Sequence, residues 1–198
     1  MTIRRFLPLM AATLVLSGFV SVEARQPKRL AHSKKPPTIV QPPWKVFTAP
    51  DGRFSVLMPG MPKLITQTQK TYMGEIDLQM FVAQPPQQEV AYVVTFNDFP
   101  DSYGQMANPR TILNDAQNMA LKTTRSNLVT QRDIRSSNGH PGREVVYVNS
   151  IGKITKNRMY FAEGRLYQVM AITTRTQQKT LSRTITGYLN SFNVVYKP

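Results

Sequence analysis

The sequence lacks several residue types on which particular chemistries depend. Its 198 residues include no cysteine, only two histidines and one tryptophan, and only 11 acidic residues against 25 lysines and arginines. Without cysteine there can be no disulfide-linked partner, no thiolate metal site and no cysteine nucleophile. The chain also has no glycine-rich phosphate loop and no G-x-S-x-G nucleophile elbow. No cofactor is therefore expected.

The first 24 residues are typical of a secretory signal peptide. Arg4 and Arg5 form a positive start, residues 6–20 are apolar, and Val22 and Ala24 suit cleavage after position 24. The apolar run is short for a bilayer-crossing helix, although retention as an uncleaved anchor remains an alternative. Export to the periplasm or the thylakoid lumen, or out of the cell, is expected.

Residues 25–43 have the composition of an extended, flexible arm. This segment holds five prolines and five lysines or arginines, and it has no acidic residue. Such a segment buries too little apolar surface to fold. Its cations Lys28, Arg29, Lys34 and Lys35 are candidates for steering the protein towards an anionic partner.

Residues 44–198 predict a single α+β domain built on an antiparallel sheet. Alternating apolar residues and turn signals indicate a series of strands joined by short connections. The predicted strands are 44–47, 54–57, 64–72, 76–83, 90–96, 128–134, 144–148, 154–162, 166–173 and 193–196.

Two amphipathic helices are predicted to flank this sheet. Asn108 and Pro109 are suited to the N-cap and first position of one helix, whose apolar residues fall on one face. Thr176 is expected to cap a second helix that carries Leu181, Ile185 and neighbouring apolar residues on one face. The expected architecture is an α/β/α sandwich.

Both ends of the domain resemble a known superfamily. Residues 44–62 read WKVFTAPDGRFSVLMPGMP, and the closing helix ends in Leu189-Asn190-Ser191-Phe192. These segments resemble PsbP, the extrinsic protein of photosystem II, and its relatives. The resemblance implies an antiparallel sheet between helices and a non-enzymatic role in partner binding or assembly. It places none of the family's ion-binding or partner-contacting residues on this chain.

The single histidine of the domain is the one candidate for general-base catalysis. His140 lies in the turn sequence SNGHPG, where exposure to solvent is expected. A small periplasmic hydrolase that uses His140 with Asp133 or Glu144 is the alternative function. Both carboxylates are, however, expected to pair with Arg132, Arg135 or Arg143.

The segment Asn97–Ser102 is the only candidate metal site. It gathers oxygen donors that could suit a hard cation such as calcium, but its spacing matches no known loop and is typical of a connection between elements. His32 and His140 are too few for a zinc site.

Positive charge is the remaining functional signal. Lys153, Lys156, Arg158 and Arg165 gather around one predicted hairpin and are candidates for docking. The expected partner is an acidic protein complex or an anionic membrane surface, although the charge could serve only to keep an exported spacer soluble. Nucleic acid is disfavoured because the protein is expected to be exported.

Overall fold

The structure, a computed structural model, describes residues 41–71, 74–99 and 108–195. Within these residues the chain forms ten strands and three helices. The strands are β1 (Trp44–Thr48), β2 (Phe54–Pro59), β3 (Lys63–Thr71), β4 (Gly74–Ala83), β5 (Val90–Asp98), β6 (Ser126–Arg135), β7 (Pro141–Asn149), β8 (Lys153–Ala162), β9 (Arg165–Thr174) and β10 (Asn193–Val194). The helices are α1 (Pro109–Thr123), α2 (Arg175–Thr180) and α3 (Ser182–Asn190).

The strands form two antiparallel sheets. The large sheet has seven strands in the order β3-β4-β5-β9-β8-β7-β6, and the small sheet has three in the order β1-β2-β10. The large sheet is two meanders, β3–β5 and β6–β9, which join where β5 pairs with β9 and Val94 lies opposite Val169. The chain segment that contains α1 connects the two meanders.

The central strands β5 and β9 are buried on both faces of the large sheet. This explains why their sequences are almost continuously apolar instead of alternating. At the edges, β6 and residues 63–68 of β3 are exposed by comparison, and they carry lysine, arginine, threonine and glutamine. Charged and polar edges are a common protection against unwanted strand pairing.

An aromatic core joins one face of the large sheet to the small sheet and α3. Phe54 of β2 is fully buried, and its ring centroid lies 6.0 Å from that of Phe96 and 5.6 Å from that of Phe192. The hydroxyl of Tyr188 on α3 donates to the carbonyl of Val93 at 2.9 Å, which fixes the helix against the sheet. We call this side of the large sheet the aromatic face.

Helix α1 packs on the other side of the large sheet, which we call the α1 face. Its buried residues include Ile112, Leu113 and Ala116, which contact a cluster of apolar side chains from β7, β8 and β9. Asn108 accepts a hydrogen bond from the backbone N–H of Arg110 at 2.9 Å, and proline occupies the first turn. The predicted start of this helix is therefore confirmed.

The prediction of an α/β/α sandwich with two flanking helices is wrong. The fold is more β-rich, because a separate three-stranded sheet covers part of the aromatic face that a helix was expected to cover. β10 pairs with β2, with Asn193 opposite Ser55. A pairing between residues so far apart in the chain leaves no mark on the local pattern of either strand.

The second predicted helix is also divided into two. Thr174, not Thr176, caps α2, since its side chain accepts from the N–H of Gln177. The helical segment is then interrupted at Leu181 before α3 begins. The apolar residues Ile185 and Tyr188 do face the core as predicted.

Several predictions fall on residues outside the described ranges. The leader, most of the arm with Lys28, Arg29, Lys34 and Lys35, and the end of the Asn97–Ser102 segment are among them. Among the helices that the structure describes, none combines the length and apolar character that crossing a bilayer requires.

Candidate cationic docking site

The four cations predicted for docking do not form one patch. Lys153 and Arg165 are the first residues of β8 and β9, and they pair with Thr174 and Ala162, respectively. In an antiparallel hairpin these positions lie at opposite ends, about 30 Å apart at ~3.3 Å per residue. Lys156 and Arg158 lie between them.

Arg165 faces inward and is only 4% exposed. Its guanidinium makes two hydrogen bonds to Asp98, at 2.6 and 2.7 Å, and a third to Asp51. The carbon at its centre lies 3.9 Å from the centroid of the Phe96 ring, which adds a cation–π contact. Arg165 of β9 therefore links the β1–β2 turn to β5. Its charge is neutralised by Asp51 and Asp98 within the fold.

Lys156 and Arg158 converge on one buried carboxylate. Arg158 Nε lies 2.7 Å from Glu144, Lys156 Nζ lies 3.6 Å from it, and Arg132 of the edge strand lies 3.0 Å from it. Arg158 also donates to the side chain of Asn190 at the end of α3. We call Arg132, Glu144, Lys156 and Arg158 the cationic cluster.

The sheet register assembles this cluster. Arg132 lies opposite Glu144 across β6 and β7, and Glu144 lies opposite Arg158 across β7 and β8. Side chains two residues apart share a face of a strand, which brings Lys156 to the same side as Arg158. Three cations around one carboxylate leave a net charge of +2 on the aromatic side of the sheet, near its β6 edge.

Glu144 is held in its charged form. Burial alone would raise the pKa of this carboxyl, but hydrogen bonds from Arg132 and Arg158 and the charge of Lys156 outweigh burial and lower it. In return, the hydrogen bond and charge of Glu144 raise the pKa of Arg132. Glu144 and Arg132 therefore stabilise each other in their charged forms, and the side chain of Arg132 is 62% exposed.

Replacing Glu144 with glutamine is expected to lower the free energy of unfolding by about 2 kcal/mol at pH 7, because the nearly buried Arg158 loses its counter-charge. The lowered pKa of Glu144 means that this stabilisation is present above the pKa of the unfolded chain. It is lost as the pH falls through the lower pKa of the folded state. Urea unfolding of both proteins at pH 7 and in acid measures this, and a difference that persists in acid would contradict it.

The carboxylates that could assist His140 are both engaged by arginine. Arg143 Nε lies 3.0 Å from Asp133, and Glu144 accepts from Arg132 and Arg158, so the predicted arginine pairing is confirmed. His140 lies in a tight turn, where its backbone N–H donates to the hydroxyl of Ser136 at 3.0 Å.

Residues 97–99 of the candidate metal segment lie within the described ranges, and of these Asn97 and Phe99 are buried. The carboxylate of Asp98 is committed to Arg165 and Arg53. Among residues 41–71, 74–99 and 108–195, no three histidine, aspartate or glutamate side chains gather as a metal site requires. The oxygen-donor segment as a whole extends beyond the described residues.

Sequence reasoning did not place Arg132 in the docking set. A signal for it did exist, because the tight turn at residues 136–140 aligns Arg132 with Glu144 once β6 and β7 are taken as a hairpin. The contribution of Asn190 from α3 had no such signal, since it depends on how the helix packs on the sheet.

Among solved structures, the chain is similar to cyanobacterial PsbP from Synechocystis sp. PCC 6803. The TM-score is 0.53 at 10% identity, over 77% of this chain and 92% of that one. It is also similar to a protein of unknown function from Pseudomonas aeruginosa, with a TM-score of 0.40, 11% identity and coverage of 78% and 98%. No family of sequences and no curated protein matches the chain. The predicted PsbP-like resemblance is confirmed for the fold.

Proposed function

We propose that this protein is an exported, non-catalytic accessory protein that docks onto an acidic protein partner through its basic arm and its cationic cluster. The main support for this proposal is that three cations surround the single carboxylate of Glu144. They leave a net charge of +2 whose side chains are held in fixed geometry. The likeness of the fold to cyanobacterial PsbP is compatible with an accessory role.

A preorganised cluster is well suited to binding carboxylates. Glu144 already holds Arg158 and Lys156 in place, so little side-chain freedom is lost when a partner approaches. The exposed guanidinium of Arg132 retains donors that can make paired hydrogen bonds to an aspartate or glutamate. Complementary charge of this kind speeds encounter and selects the partner.

The surroundings of the cluster favour a protein partner over a lipid surface. β6 is an edge strand that pairs only with β7 among the described residues. It also exposes Leu128 and Val129, at 41% and 58%. Exposed apolar side chains on the same edge strand as an exposed arginine are the composition expected of a protein interface. The basic arm would add long-range attraction, as its composition predicts.

Binding should depend strongly on ionic strength. Retention of the purified chain by envelope extract from the exporting cell is expected to fall by about tenfold or more between low and high salt. Vesicles of anionic lipid, tested in the same salt series, distinguish a membrane partner. Retention by the extract that does not change with salt would contradict the proposal, and so would binding to the vesicles alone.

A further inference from the structure

A cleft of about 400 Å³ opens on the α1 face of the large sheet, on the opposite side from the cationic cluster. It lies between the first turn of α1, the end of β6 and the start of β7. Its polar lining consists of Arg110, Arg135, Arg143 and Asp133, and its apolar lining includes Leu113 and Pro141. Three guanidinium groups against one carboxylate give the cleft a net charge of +2.

Arg143 is the buried charged residue of this cleft. It is 5% exposed, yet its guanidinium is held in a fixed orientation by three neighbours. Its Nε lies 3.0 Å from Asp133, and its Nη1 donates to Asn114 at 2.6 Å and to Gln117 at 3.3 Å. Gln117 is fixed in turn, because its amide nitrogen donates to Gln131 at 2.6 Å.

One nitrogen of Arg143 is left for a ligand. Within the described residues, Nε and Nη1 carry its hydrogen bonds to side chains, and Nη2 has none. Nη2 can therefore donate to a ligand in the cleft, in place of solvent. An anion with oxygen acceptors fits this position.

The rest of the lining adds to the attraction. Arg110 and Arg135 are exposed at the mouth, where a ligand can reach their guanidinium groups. The 15-residue helix α1 begins here and has no acidic residue in its first turn, so the positive end of its dipole is not offset. Leu113 and Pro141 offer apolar contact to a carbon skeleton.

We propose that this cleft binds a small organic molecule through a doubly charged oxyanion, a phosphate monoester being the group of matching charge. A phosphate monoester carries a charge of about −1.5 to −2 at pH 7 and has three acceptor oxygens. One oxygen would accept from Nη2 of Arg143, and the others from Arg110 and Arg135. The site is separate from the proposed docking surface and does not depend on it.

Calorimetric titration of the full chain with phenyl phosphate tests the site. At constant ionic strength, phenyl phosphate is expected to bind about tenfold or more tightly than benzoate, which has a similar ring but a single charge. Inorganic phosphate is the second probe. Equal binding of the two phosphates would assign the site to free phosphate, whereas tighter binding of phenyl phosphate would assign it to an ester.

Charge variants locate the binding. The double variant Arg110→Gln with Arg135→Gln is expected to weaken the binding of phenyl phosphate about tenfold or more. Arg143→Lys is expected to weaken binding by a similar factor, because the single nitrogen of lysine cannot replace both the structural hydrogen bonds of Arg143 and its Nη2 donor. The matched control, Arg175→Gln with Arg183→Gln, changes the net charge equally at exposed positions on α2 and α3. The proposal is overturned if the unaltered chain does not bind phenyl phosphate, if benzoate binds equally well, or if the control loses as much affinity. Because the double variant alters only exposed side chains, it remains informative should Arg143→Lys fail to fold.

Discussion

Replacing Arg165 with alanine is expected to lower the free energy of unfolding by about 3 kcal/mol. The change removes three hydrogen bonds to Asp98 and Asp51 together with the cation–π contact to Phe96. Loss of one member of a buried ion pair commonly costs ~3–5 kcal/mol, and the lower end applies because the carboxylates of Asp98 and Asp51 are partly exposed. Urea unfolding at pH 7 measures the loss.

A neighbouring arginine provides the control for this change. Arg53 also pairs with Asp98, at 3.2 Å, but its side chain is more exposed. Arg53→Gln is therefore expected to cost less than about 1 kcal/mol. Equal losses for Arg165→Ala and Arg53→Gln would show that the buried position of Arg165 contributes nothing.

The effect of Arg165→Ala should also diminish in acid. Burial would raise the pKa of Asp51, but the hydrogen bond from Arg165 and the contacts with Arg53 outweigh it and lower the pKa. Stability that depends on a carboxyl with a lowered pKa is present at neutral pH and is lost as the pH falls through the folded-state value. The two proteins should therefore approach each other in stability in acid.

Replacing Gly142 with alanine is expected to cost about 3 kcal/mol by steric overlap. A Cβ atom at this position would lie 2.5 Å from the ring of Tyr160 and 2.6 Å from the backbone oxygen of Met159. The ring cannot easily move aside, since Tyr160 is buried and stacks on Phe192 with centroids 5.6 Å apart. Added atoms in a well-packed core usually cost ~1–3 kcal/mol, and overlap with backbone places this change at the upper end.

Gly187 provides the matched control, because a Cβ atom added there meets no atom within 4 Å. It lies within α3, so Gly187→Ala is expected to stabilise the protein by about 0.5–1 kcal/mol through helix propensity. Thermal or urea unfolding of both variants tests the pair. A Gly142→Ala protein as stable as the unaltered chain would contradict the packing described around Tyr160.

Much of the local structure was predictable from the sequence because it depends on local rules. Asn108 and Pro109 mark the start of α1, and alternation with turn signals marks the strands of both meanders. The small sheet was not predictable, because the pairing of Asn193 with Ser55 is set by tertiary packing. The count of helices failed for the same reason, since the interruption at Leu181 falls within an apolar pattern that continues to Ile185 and Tyr188.

The functional residues show the same division. Lys156 and Arg158 alternate along one strand, and their common side was accessible to prediction. Arg165 is as basic as they are, but no local pattern distinguishes a cation that neutralises Asp51 and Asp98 inside the fold from one that faces a partner. The role of each cation depends on whether a carboxylate that is distant in the sequence lies next to it in the folded chain. Local sequence patterns do not contain that information.

The most direct test of docking through the cationic cluster is a binding comparison between two double variants of equal charge. Arg132→Gln with Lys156→Gln removes two charges from the cationic cluster and leaves Glu144 paired with Arg158. Lys179→Gln with Arg183→Gln removes two exposed charges from α2 and α3. Capture of an acidic protein from envelope extract at low salt should fall about fivefold or more for the first variant and remain nearly unchanged for the second. Equal capture by the two variants would contradict docking through the cationic cluster.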